Sequence, residues 1–263
     1  NVRPGKYTLH AIADGVLGEY AKADIVVEKG KKINLGSLEW KPVRRGKQLW
    51  DIGIANRNSA EFLGGDRFFE IDIVKKYPNY FPQDVNYTIG KSDFRKDWFF
   101  EQLPHVEDPE SPENNKMPER SQEALAKSLG IEGMPAEQKI TIQKTIADLG
   151  TSGKYAVGKS TAWTINFSLP DTLKGNAILR VAICGTGTQA LNITVNDRPA
   201  GNIKDLRIDG APNRSGSSGI WYERELVLDH ALFTKGNNTI KLTIPAGQVV
   251  NGIMYDYVRL ELE

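Results

Sequence analysis

Thr161-Ala162-Trp163-Thr164-Ile165-Asn166-Phe167 opens a stretch in which strand follows strand to the end of the chain. Ala177 to Cys184, Ala190-Leu191-Asn192-Ile193-Thr194-Val195, Trp221 to Leu228, Thr239-Ile240-Lys241-Leu242-Thr243-Ile244 and Ile253 to Leu262 read the same way. Asn196-Asp197 and Gly236-Asn237-Asn238 supply turns between them. Many short strands at this spacing imply a two-sheet sandwich, of the jelly-roll kind.

Upstream the text changes twice. Residues 6 to 40 alternate apolar and polar in short runs such as Lys6-Tyr7-Thr8-Leu9-His10-Ala11-Ile12 and Ala23-Asp24-Ile25-Val26-Val27, separated by Gly15, Gly18 and Gly30. That is the period of two of an antiparallel sheet, and it predicts three or four strands. A complete sandwich needs about seven strands, so the sequence is expected to begin inside a domain. Residues 104 to 117 are rich in Pro, Glu and Asn and read as a loop. Two helices are predicted after it: Pro118 and Pro135 stand at starts, Gly130 and Gly150 at stops, and Ile142, Ile146 and Leu149 share one face. They are expected to form a surface insertion on a β domain.

The chain's 263 residues suffice for two domains. Its formal net charge of +1 gives no global field that would draw it to nucleic acid or to an anionic membrane, so neither partner is expected. No stretch approaches the roughly 20 apolar residues of a membrane span, and Asn1-Val2-Arg3-Pro4-Gly5 lacks the apolar core of a signal peptide. Cys184, the single cysteine, rules out an intrachain disulfide or a thiolate cluster and reads as a small buried hydrophobe. Asn-X-Ser/Thr triplets occur at Asn86, Asn166, Asn192, Asn213 and Asn237; they matter only in a eukaryotic secretory context.

Two runs have an unusual residue order: Ser92-Asp93-Phe94-Arg95-Lys96-Asp97-Trp98-Phe99-Phe100 and Gly252-Ile253-Met254-Tyr255-Asp256-Tyr257-Val258-Arg259-Leu260-Glu261-Leu262. Both resemble the signatures of the non-catalytic modules of rhamnogalacturonan lyases, polysaccharide lyase family 4. Residues 1–44, ending at Leu38-Glu39-Trp40-Lys41-Pro42, resemble the second half of that family's fibronectin-III-like domain. Leu49-Trp50-Asp51-Ile52-Gly53-Ile54-Ala55-Asn56 resembles the start of its third domain, a galactose-binding-like jelly roll, which would occupy residues 45–263 with the 104–160 insertion inside it. The resemblance thus implies an all-β chain: a partial fibronectin-III-like sandwich, then a jelly-roll carbohydrate-binding-like module with a short helical insertion. It also implies secretion to an extracellular or periplasmic space, a pectic polysaccharide, rhamnogalacturonan I, as ligand, and the catalytic domain of the same parent enzyme as partner.

A lyase acting on a uronate chain must neutralise the carboxylate and remove the proton beside it. In the family that work falls to a Lys and a His of the N-terminal domain, with which nothing here aligns, so no catalytic residue is carried over. His10, His105 and His230 are scattered and fit no catalytic motif. No cofactor is expected, although Asp72, Asp93, Asp97 and Asp256 are oxygen ligands of the type that hold a structural Ca²⁺ in jelly rolls.

Sugar binding needs an aromatic face for a pyranose and Arg, Asn or Asp for its hydroxyls or carboxylate. Pro212-Asn213-Arg214-Ser215-Gly216-Ser217-Ser218-Gly219-Ile220-Trp221-Tyr222, a Gly/Ser loop running into a strand, combines these groups. It resembles the family's stretch ending in Gly and two aromatics, with Ser217 and Ser218 departing from the pattern. Arg214 is the candidate for a carboxylate and Tyr222 for a sugar face, with Trp221 and Asn213 beside them. A turn leading into a core aromatic is the competing reading. Lys96 and Trp98 are further contact candidates. Read as a strand, that run sends Phe94, Lys96 and Trp98 to one face and Arg95, Asp97 and Phe99 to the other, and pairs Arg95 with Asp93 or Asp97. By the same alternation Tyr255 and Tyr257 share a face of the last strand, opposite Asp256.

Three functions follow for comparison: a non-catalytic region holding a lyase on pectin, a piece of an active lyase completed by a missing catalytic domain, and a purely structural brace.

Overall fold

The computed structural model describes residues 2–70, 76–106, 127, 135–139, 157–212, 216–248 and 251–263. Of the two predicted helices, only Lys127, which is helical, and the turn in which the Lys139 amide donates to the Pro135 carbonyl, at 3.0 Å, fall among the described residues. Their Ile142, Ile146 and Leu149 face lies outside them.

The fold is all-β. Strands β1 (Gly5–Ala11) and β2 (Tyr20–Val27) form an antiparallel ribbon. Residues 28–45 carry no strand, so this part holds two strands where three or four were expected. Apolar side chains recur along 33–40, but no neighbouring backbone pairs with them, and alternation without a partner does not make a strand.

A sandwich follows. One sheet orders β10 (Tyr222–Leu228), β7 (Ala177–Thr186), β13 (Ile253–Leu262) and β3 (Lys47–Gly53), all antiparallel. The other orders β4 (Asn86–Thr88), β6 (Thr161–Leu169), β11 (Gly236–Ile244), β8 (Leu191–Val195) and β9 (Arg198–Ile203), with β4 parallel to β6. A short pair, β5 (Val157–Gly158) and β12 (Gly247–Gln248), closes one end. Asn196 and Asp197 both take positive φ, 50° and 61°, which gives the tight hairpin between β8 and β9 the hand that strand twist favours.

Alternation decides which residues enter the core. Trp163, Ile165, Phe167 and Leu169 of β6 point inward with Ile240, Leu242 and Ile244 of β11 and Leu191, Ile193 and Val195 of β8. They meet Leu179, Val181 and Ile183 of β7 and Val258 and Leu260 of β13. The centre is aromatic: Trp98 lies edge-on to Trp163 at 4.8 Å and to Tyr255 at 5.6 Å. Trp163 Nε1 donates to the Tyr77 hydroxyl (2.7 Å) and the Tyr255 hydroxyl to Gln102 Oε1 (2.5 Å), while Trp98 Nε1 is buried with no hydrogen-bond partner among the described residues. Each such ring stabilises the fold by roughly 1.5–3 kcal/mol through burial.

Two local expectations are corrected. Phe94–Asp97 is α1, one helical turn, and not a strand. The Asp93 side chain caps it by accepting from the Arg95 amide, and Asp97 Oδ2 reaches back to the Asp93 amide at 2.8 Å, a reciprocal arrangement that favours a helix start. Arg95 does lie 3.8 Å from Asp93, as a solvent-facing pair. Tyr255 and Tyr257 point to opposite faces: the register between β13 and β7 shifts at Asp256, so Tyr255 pairs with Ile183 while Tyr257 pairs with Ala182. A bulge adds one residue and flips every side chain beyond it.

All ten residues of β7 are buried, because the sheet's outer face is covered too. The cover comes from the 12–19 loop, the 43–45 connector and residues 209–212 and 216–221.

Candidate functional site

Outward-facing charges on β7, β10 and β13 build the first half of the site. Arg180, 3% exposed, sends Nε to Glu223 at 2.6 Å and lies 3.4 Å from Glu225, while its Nη1 reaches Glu261 at 3.3 Å and the Val43 carbonyl at 2.9 Å. Burial pulls its pKa down, but the Glu223, Glu261 and Glu225 carboxylates outweigh that and leave it raised. Arg45 Nε donates to both oxygens of Glu225 at 3.0 Å, and its amide to Glu261 at 2.9 Å. Arg224 donates to the Glu223 carbonyl and lies over the Tyr222 ring at 4.7 Å.

Residues of the N-terminal ribbon and connector supply the other half. Leu17, Gly18 and Glu19, with half-buried Trp40 and exposed Val43, stand opposite Arg45, Arg180, Glu223, Arg224 and Glu225 around an open cleft of 440 Å³. A half-buried indole beside a rim of donors and acceptors can take one face of a sugar ring while the rim bonds its hydroxyls.

A latch behind the cleft fixes its two halves. Asp256, wholly buried, accepts from the amides of Asn56 (2.9 Å) and Arg57 (2.8 Å) through Oδ1 and from Trp221 Nε1 (2.7 Å) through Oδ2. Burial raises its pKa against the pull of those donors. The Arg57 guanidinium then covers the Trp221 ring at 4.2 Å and pairs with Glu19 at 2.7 Å, which, together with His10, holds Glu19 below the ordinary carboxylate range. Leu17 packs with Ala55, Ala182 and Tyr257, and the Gly15 amide donates to the Ala55 carbonyl at 2.9 Å. Gly53 makes the turn into this loop possible. Its φ is +90°, and an added Cβ would lie 2.6 Å from the Asp256 carbonyl oxygen.

The sequence-predicted residues are not gathered into one site. Arg214 and Asn213 lie outside the described residues. Tyr222, 5% exposed, packs in the main core with its hydroxyl accepting from the Arg207 amide at 3.0 Å, so its face is not open to a sugar. Trp221 points the other way, into the latch, with its indole N–H and one face already engaged. Trp98, 0% exposed, is a core side chain packed on Phe62, Tyr87, Trp163 and Tyr255, which removes it from any contact surface. Lys96 is exposed on α1. Of the proposed Ca²⁺ ligands, Asp72 lies outside the described residues, Asp93 and Asp97 cap α1, and Asp256 serves the latch. No group of three or more His, Cys, Asp or Glu suited to a metal occurs among the described residues. No described helix is long and apolar enough to cross a membrane.

Trp40, Arg45 and Glu225 were not singled out from sequence. The one available signal was the Glu223 and Glu225 spacing in a predicted strand, which puts both acids on one face and asks for cations opposite.

Comparison with known proteins agrees with this layout. Residues 48–260 match the model for "Polysaccharide lyase family 4, domain III", and residues 1–35 that for "Polysaccharide lyase family 4, domain II". Among relatives, a rhamnogalacturonate lyase of Dickeya dadantii is 39% identical over 105 residues, 39% of this chain and 17% of that protein. A probable rhamnogalacturonate lyase B of Aspergillus flavus is 32% identical over 104 residues, 35% of this chain and 16% of that protein. The aligned stretch thus covers about a sixth of these relatives' length. Similar solved structures include a family 35 carbohydrate-binding module from an environmental isolate (TM-score 0.27, 20% identity, 41% of this chain and 68% of that one). Another is the CBM36-1 domain of a xylanase from a Trinervitermes trinervoides hindgut metagenome (TM-score 0.28, 12% identity, 39% and 72%). With a domain III match running almost the length of its sandwich and a domain II match in its ribbon, the chain belongs to polysaccharide lyase family 4.

Proposed function

We propose that this chain is the non-catalytic, carbohydrate-gripping region of a secreted rhamnogalacturonan lyase, and that it holds rhamnogalacturonan I in the cleft walled by Trp40. The observation that carries this reading is the cleft itself: 440 Å³, open to solvent, with an indole on one side and a fixed polar rim on the other. The named activity of the relatives supports the choice of polymer. The parent's catalytic domain is the expected intramolecular partner, and an extracellular or periplasmic space the expected location.

Titration with rhamnogalacturonan oligosaccharides, followed by calorimetry and by chemical shifts, tests the reading. Binding should be lost or weakened at least about tenfold in Trp40→Ala, the loss of one stacked ring. Absence of any heat or shift change would leave bracing as the function, a reading favoured by the Leu17 and Arg57–Glu19 contacts between ribbon and sandwich. A rise in ultraviolet absorbance from unsaturated uronate, produced by this chain on its own, would overturn the non-catalytic assignment.

A further inference from the structure

We infer that the Trp40 cleft takes a neutral sugar residue and discriminates against a uronate. The inference rests on the reading of the cleft as a carbohydrate site. It goes against the expectation, natural for a galacturonate-containing polymer, that arginines in such a site are there to meet a carboxylate.

The reason is that every arginine of the wall is already engaged. Arg45 gives its Nε to both oxygens of Glu225. Arg180 stands among Glu223, Glu225 and Glu261, with its Nη1 also on the Val43 carbonyl. Arg224 is directed to the carbonyls of Glu223 and Asp205 and lies over the Tyr222 ring. The wall holds three cations, Arg45, Arg180 and Arg224, against three anions, Glu19, Glu223 and Glu225, and Glu261 stands behind them. There is no surplus positive potential to attract an anion. A uronate would have to displace Glu225 from its two-oxygen bond to Arg45 or stand beside the carboxylates of Glu19, Glu223 and Glu225, and like charges side by side repel. A hydroxyl meets no such obstacle, since it carries no charge and can donate to a carboxylate that is already paired, which an ionised uronate cannot. In rhamnogalacturonan the neutral unit of the backbone is rhamnose, so the cleft would select rhamnose or a neutral branch over galacturonate.

The test uses one oligosaccharide in two forms, a native rhamnogalacturonan fragment and the same fragment with its carboxyl groups reduced to primary alcohols, titrated into the whole chain. The carboxyl-reduced form should bind at least about tenfold tighter, a ratio equivalent to one disrupted charge-assisted bond. Its affinity should change little with salt, because no net charge is being matched. In Glu225→Gln, which frees Arg45, the ratio should narrow or invert. Tighter binding of the native fragment with the same dependence on Trp40 would overturn the inference while leaving the cleft a carbohydrate site. Failure of both forms to bind would remove the site, and the inference with it.

Discussion

Replacing Asp256 by Ala removes the acceptor that three well-formed donors share: the amides of Asn56 and Arg57 and the indole N–H of Trp221, at 2.9, 2.8 and 2.7 Å. Each buried donor left without a partner costs about 1–3 kcal/mol. Against that, the variant no longer buries a carboxylate, the effect that raises the pKa of Asp256, so the low end of the sum applies. A net loss of about 3 kcal/mol is expected, and in a domain of this size that lowers Tm by about 6–12 °C. Asp256→Asn keeps Oδ1 in place but sets an amide N–H₂ against Trp221 Nε1, donor against donor, and should lose about 1–2 kcal/mol. Heat and urea unfolding, followed by circular dichroism, reads both values. A double-mutant cycle with Trp221→Phe isolates the indole bond, with an expected coupling of about 1.5–3 kcal/mol for a hydrogen bond to a charged group. An Asp256→Ala protein melting within a degree of the parent, or strict additivity in the cycle, would refute the latch.

Three other outcomes follow from the same geometry. Burial raises the pKa of Glu61 to about 7, so the folded state holds a proton that the unfolded state releases near 4.5. Stability should therefore fall as pH rises from about 4.5 to 7, by about 1 kcal/mol once solvent screening of a partly exposed group is allowed for, and Glu61→Gln should flatten the profile measured by urea midpoints. Gly53→Ala should destabilise by at least about 2 kcal/mol, because the turn is left-handed and the new methyl meets backbone, and a smaller loss in urea unfolding would argue against that strain. Leu17→Ala should cost about 2–3 kcal/mol of ribbon docking, seen as faster amide exchange in β1 and β2, with exchange in β7 unchanged.

Long strands with strong alternation were legible in the sequence: β6, β7 and β13 were found within two residues at either end. β9 was not, because Pro199 and Gly201 break its text and only the positive-φ pair Asn196-Asp197 folds it back onto β8. Alternation misled where a cap or a bulge intervened. The Phe94 to Trp98 run has strand-like spacing, but Asp93 and Asp97 turn it into a helix start, and the extra residue at Asp256 moves Tyr257 to the other face. The cleft was illegible for a different reason. Arg45 meets Glu225 across 180 positions of sequence, and nothing local to Trp40 tells that the connector crosses the sheet there. The Gly/Ser loop drew attention through its composition, yet the aromatics at its end serve the core and the latch.

Ala182 carries a consequence beyond its own packing. The ribbon rests on β7 through Leu17, and what lies beneath Leu17 on that strand is a single methyl group. A small side chain at this position leaves room for the loop that carries Leu17, a loop also held by the Gly15–Ala55 hydrogen bond and the Glu19–Arg57 pair. Exchanging it for valine or leucine would press on Leu17, Ala55 and Tyr257 and cost about 1–3 kcal/mol through overpacking.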